Sequence, residues 1–156
     1  MQRGNSTLQA APVRTKKFPL KAPLAAENGV LNISEDPVEH LAFPSAWLNR
    51  LDVRSDKAYL LSVKGTSMEP TLNNGDLVLI DRDKRMIRNG RIYAFNDVDG
   101  TSRIKRLDVI KDTAITIRSD ADPLHVEQRL GEEMNNVSDG IMGEVVWAAH
   151  SLTYGN

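Results

Sequence analysis

The chain has 156 residues, 40% of them hydrophobic and 26% charged, which is enough for one domain with its own core. A net charge of −1 gives no overall pull toward nucleic acid, and the absence of cysteine excludes disulfides, zinc–cysteine sites and thiol nucleophiles. No apolar run approaches the roughly 20 residues that span a bilayer, and no apolar signal-peptide core follows the basic N-terminus, so a soluble cytoplasmic protein is expected.

Residues 1–26 carry Arg3, Arg14, Lys16, Lys17 and Lys21, with no acid before Glu27. Pro12, Pro19 and Pro23 punctuate them and no periodicity is sustained. This reads as an extended basic arm, with a plain solvated linker as the alternative. Pro44 then opens a short helical turn in which Trp47, Leu48 and Leu51 share one apolar face. Six strands are expected after it, at 58–63, 77–80, 91–95, 102–109, 114–118 and 140–148. Turn signals at 73–76, 88–90, 97–100 and 119–123 separate them. The expected fold is mostly β: a compact curved-sheet or barrel-like domain with a short helical turn and an extended N-terminal arm. Nothing in it has the roughly three helices of a helix-turn-helix domain.

One bend carries candidate chemistry. Val63-Lys64-Gly65-Thr66-Ser67-Met68-Glu69-Pro70-Thr71-Leu72 lies between two apolar strands, and Arg103-Ile104-Lys105-Arg106-Leu107 follows on a later strand. A serine hydroxyl needs a base within hydrogen-bond reach, and a neutral lysine serves if burial lowers its pKa. Lys105, between Ile104 and Leu107, suits that role, and the bend at Gly65 offers backbone N–H groups to an oxyanion. On spacing alone Lys57, Lys64 and Lys111 are equally eligible bases, and turn serines and strand lysines are commonly structural. His40, His125 and His150 have no metal-ligand spacing, and Trp47 and Trp147 read as core or interface anchors.

Ser67-Met68-Glu69-Pro70-Thr71-Leu72 with Gly75-Asp76, then Ile104-Lys105-Arg106-Leu107, then Ser119-Asp120-Ala121-Asp122-Pro123, then Ile141-Met142-Gly143-Glu144-Val145-Val146-Trp147, occur in that order. Together they resemble the LexA/UmuD/phage-repressor family of self-cleaving serine peptidases, in register over roughly 38–150. The resemblance implies that Ser67 is the nucleophile and Lys105 the general base. It implies an oxyanion hole from the backbone N–H groups of Ser67 and Thr66, with Met68 lining the site. Gly75 and Asp76 would shape the turn, and Arg106 would pack or pair. It also implies a flexible arm at 1–27, a cleavage-site segment at 28–37 and a peptidase and dimerisation domain at 38–156. The candidate scissile bond is Asn28–Gly29, although Asn-Gly is also a strong hairpin signal.

The function implied is a domain that cuts itself once, dimerises and regulates transcription in a DNA-damage (SOS)-type response. Its activator would be a RecA-type filament or an antirepressor, and DNA would be reached only through a domain outside this chain. No cofactor, metal or membrane is implied. A UmuD-like accessory subunit of a translesion DNA polymerase, a catalytically silent dimerisation module and, last, a signal peptidase are the alternatives.

Overall fold

A computed structural model describes residues 14–24 and 32–152. The six expected strands are present, each to within a residue at either end: β3 (Ala58–Ser62), β4 (Leu77–Asp81), β5 (Arg91–Asn96), β6 (Ser102–Ile110), β7 (Ala114–Ser119) and β9 (Ile141–Ala149). The helical turn is α1 (Ser45–Arg50), with Pro44 as its N-cap. Three elements were not expected: strands β1 (Thr15–Leu24) and β8 (Asp122–Leu130) and helix α2 (Gly131–Asp139). A fourth difference is β2 (Asn32–Pro44), which runs unbroken into α1.

Seven antiparallel strands in the order β3-β4-β9-β5-β6-β7-β8 form the body of the sheet. The antiparallel β1–β2 pair extends it on the β3 side. The mostly β class therefore holds, but the sheet stays open, with β2 and β8 at its two edges, and does not close into a barrel. On the β8 edge His125 and the ion-paired Glu127 and Arg129 alternate with exposed Leu124 and Val126. A charged edge of this kind resists pairing with a further strand. Part of the expected arm is thus β1. Its contact with β3 is parallel and short, Leu20 against Leu60 and Lys21 against Leu61, and Pro19 and Pro23 bracket it. Proline has no N–H to give a ladder, so those prolines limit the pairing and mask the strand in the sequence.

Alternation along β3 and β4 divides the core. Tyr59 and Leu61 with Val78 and Ile80 pack on one face with Val63, Met68 and Leu72. Ala58, Leu60 and Leu79 pack on the other with Phe18 and Leu48. Both faces are covered, so these strands read as continuous apolar runs. Trp47 and Trp147 meet edge-to-face at 5.4 Å, and Phe43 stacks on Trp47 at 5.0 Å, so both tryptophans are core anchors as expected. A third cluster, Tyr93, Phe95, Leu107, Ile115 and Ile117, is closed by Val137 of α2. At Gly143 an added Cβ would lie 2.4 Å from the Asp81 carbonyl oxygen, so β9 reaches β4 only with glycine there.

Candidate active site

Beyond β3 the chain enters a bend that bonds largely to itself. Val63 N–H donates to the Asp76 carbonyl at 2.8 Å and Gly75 N–H to the Val63 carbonyl at 2.9 Å, which closes the base of the loop. Within it, Gly65 N–H donates to Asn74 Oδ1 at 2.9 Å and Leu72 N–H to the Met68 carbonyl at 2.9 Å. Gly65 takes φ +86°, a conformation that favours glycine. Met68 and Leu72 are buried and anchor the loop in the core, whereas Ser67, just before Met68, is exposed. The peptide bond Glu69–Pro70 is cis. The Asp76 carboxylate, buried, accepts from Asn73 N–H at 2.8 Å, which fits the turn-shaping role expected of it.

The turn between β7 and β8 fastens this loop to β6. Asp120 accepts both a bidentate pair from Arg106, at 2.8 and 2.6 Å, and a hydrogen bond from Thr71 Oγ1 at 2.6 Å. Ala121 N–H donates to the Ser67 carbonyl at 3.1 Å. Arg106 is thus an ion-pairing residue, as expected. Through Asp120 it also fixes the distance between the serine loop and the lysine strand. The role of Asp120 was not foreseen, because only contacts distant in sequence reveal it.

Lys105 points into the space that Ser67 faces. Both line one pocket of about 280 Å³, together with Gly65, Met68, Ile104 and Met142. Lys105 is only 7% exposed. Burial depresses its pKa, the nearby Arg103 charge depresses it further, and Glu127 acts weakly in the opposite direction. Nζ donates to Ser119 Oγ at 2.7 Å, and this hydrogen bond runs to Ser119 rather than to Ser67. Ser119 is a partner that sequence reasoning missed; the 119–123 segment stood out as a turn and as part of the family resemblance, with no role given to Ser119. Of the other eligible lysines, Lys64 lines the pocket but is exposed, Lys111 is exposed in the β6–β7 turn, and Lys57 lies away from the serine. Burial therefore singles out Lys105. Thr66 sits in the same bend, where its carbonyl accepts from Glu69 N–H at 3.1 Å, and it does not line the pocket.

The candidate bond Asn28–Gly29 lies outside the described residues. His40, His125 and His150 are exposed, and among the described residues no group of three or more His, Asp or Glu side chains is arranged to hold a metal. Among those residues, too, no helix is long and apolar enough to cross a membrane.

Residues 22–146 match the family model described as Peptidase S24-like. Over 105 residues the chain is 30% identical to an uncharacterized HTH-type transcriptional regulator of Haemophilus influenzae. That match covers 67% of this chain and 43% of the relative, so the chain spans less than half the length of the protein it resembles.

Proposed function

Because the chain belongs to the Peptidase S24-like family, we propose that it is a Ser/Lys peptidase that cleaves its own polypeptide once. Ser67 is the nucleophile and Lys105 the base. The observation that carries this reading is a buried lysine with a depressed pKa in the pocket that an exposed serine lines. Neutral Lys105 accepts the Ser67 proton as Oγ attacks the peptide carbonyl. The backbone N–H groups of Ser67 and Thr66 stabilise the oxyanion. The ammonium then returns its proton to the leaving amine, and water releases the acyl group by the same steps. Ser119 holds the Lys105 amine in place, and the amine turns from Ser119 to Ser67 for the proton transfer.

The direction of β1 supports an intramolecular substrate. β1 runs parallel to β3, so its C-terminal end points the same way as the end of β3 that leads to Ser67. Residues 25–31, which include Asn28–Gly29, join that end of β1 to β2. Substrate and nucleophile then belong to one chain, which raises the effective concentration of a poor substrate. The biological reading is a peptidase and dimerisation domain of a transcriptional regulator, released by an activating partner such as a RecA-type filament or antirepressor. The likeness to an HTH-type regulator more than twice as long as the match supports this over a polymerase subunit.

The test is to incubate purified protein at alkaline pH and follow intact mass. Wild type yields two fragments whose masses place the cut at Asn28–Gly29, and Ser67→Ala yields none. Fragments of the same mass from Ser67→Ala would refute the reading.

A further inference from the structure

The pocket at Ser67 continues past the dyad. Met142 lines it and also lines a second, wider compartment of about 890 Å³. Tyr59, Leu61 and Val63 pack in one cluster on one face of β3, with Met142 against them. Leu61 and Val63 face the first compartment and Tyr59 the second, so the two are successive stretches of one groove.

The second stretch differs in charge from the first. Lys57, Arg82 and Arg85 line it, with Asp83 and Asp139. Among the described residues Lys57 and Arg82 form no ion pair. Arg85 donates to the carbonyl oxygens of Ile141, at 2.9 Å, and Asp139, at 3.4 Å, and so keeps its charge unneutralised. Asp83 has Arg54 at 3.6 Å. Arg82 lines the compartment with Tyr59, whose phenol burial pushes up to about 12 against the opposing Arg82 charge. The compartment is therefore cationic on balance, and its shape concentrates that field on whatever enters.

We propose that this compartment is a specificity subsite that receives carboxylate side chains of the polypeptide lying across Ser67. The proposal rests on the peptidase reading of the dyad and adds what the cleft selects. An extended ligand following β3 from Val63 back to Lys57 covers about 20 Å at ~3.3 Å per residue. An acid about four to seven residues from the scissile bond reaches Lys57 and Arg82, where charge-assisted hydrogen bonds hold it. This chain carries such acids: Glu35 and Asp36 stand six and seven residues beyond Gly29.

The experiment uses the full chain with Ser67→Ala, which binds without cutting. Two labelled peptides are titrated by fluorescence anisotropy at low and moderate salt: residues 22–38, and the same peptide with E35Q and D36N. The acidic peptide is expected to bind at least about fivefold tighter at low salt. Adding Lys57→Gln and Arg82→Gln should abolish that preference while leaving the circular dichroism spectrum unchanged. Equal affinities, no binding of either peptide, or a preference that survives both substitutions would overturn the subsite. The peptidase reading fails separately, through the absence of Ser67-dependent cleavage, and that result would leave the acid preference in binding intact.

Discussion

The dyad pocket and the ion cluster beside it draw cations from the same strand and treat them in opposite ways. Arg103 of β6 donates to Asp97 at 2.6 Å and to Glu127 at 2.6 and 3.0 Å. Arg129 of β8 grips the same two acids, with Asp97 at 3.0 and 2.8 Å and Glu127 at 3.0 Å. Hydrogen bonds to Glu127, then to Asp97, hold the Arg103 pKa above its ordinary value. Two residues along, Lys105 has a hydroxyl for a partner and its pKa falls. Burial alone does not separate them, since Arg103 is also largely covered, with its side chain 20% exposed. The carboxylates decide the outcome. The two arginines engage Glu127, the acid whose charge favours the Lys105 ammonium, and leave Lys105 without a carboxylate partner of its own.

The comparison breaks most completely if the pocket is given a cation that cannot lose its proton. Lys105→Arg keeps the charge but not the base, so cleavage should fall about 10³-fold or more, as with Lys105→Ala and Ser67→Ala. Ser67 and Lys105 act in one proton transfer, so the double alanine variant should be no slower than either single one. Fragment accumulation by mass spectrometry reads all of these.

Next in size is the fastening of the serine loop to β6. Asp120→Ala strands Arg106 and frees Thr71, each of which it now holds at 2.6 Å. Stability to denaturant should drop by about 2 kcal/mol. Cleavage should slow about tenfold or more, because Ser67 is no longer held against β6. A rate unchanged in a folded variant would show that the loop positions itself.

The ion cluster itself has a pH signature. Burial pushes Asp97 up, but hydrogen bonds from Arg129, Val98 N–H and Arg103 outweigh it and bring the pKa to about 2. Glu127, bonded chiefly by Arg103, is also held at about 2. Both pKa values are depressed by folding, so their stabilisation is present above the unfolded values, near 4, and is lost as pH falls toward 2. Asp97 alone, almost fully buried, contributes about 2 kcal/mol of this. Denaturant midpoints should fall between pH 5 and pH 2 in wild type and less steeply in Asp97→Asn. The smallest effect is expected at Ser119, which orients the amine without taking the proton. Ser119→Ala should slow cleavage about tenfold and Ser119→Thr should restore most of the rate.

Legibility in the sequence follows the same division. The other six strands of the body alternate or run apolar without proline, so period and turn signals found them within a residue. β1 was hidden by Pro19 and Pro23, and its partner β2 contains Pro37 and Pro44. β8 left a readable signal, Leu124 and Val126 alternating with His125, Glu127 and Arg129, but the turn residues at 119–123 drew attention away from it. α2 has only Met134 and Val137 as apolar contacts, too few for a helical stripe. Ser67 and Lys105 were legible as a motif, and both line one pocket. Ser119 and Asp120 were not, because their importance lies in where the β7–β8 turn lands.

The dependence of self-cleavage rate on pH tests the central claim, that Lys105 reacts as a free base because burial and Arg103 depress its pKa. Single-turnover rates are measured from pH 6 to pH 11 on wild type and on Arg103→Gln. Wild type should rise with pH and level off below the ordinary lysine value of about 10.5. Loss of the Arg103 charge should move that plateau to higher pH. A flat profile, or one still rising beyond the ordinary lysine value, would contradict the account.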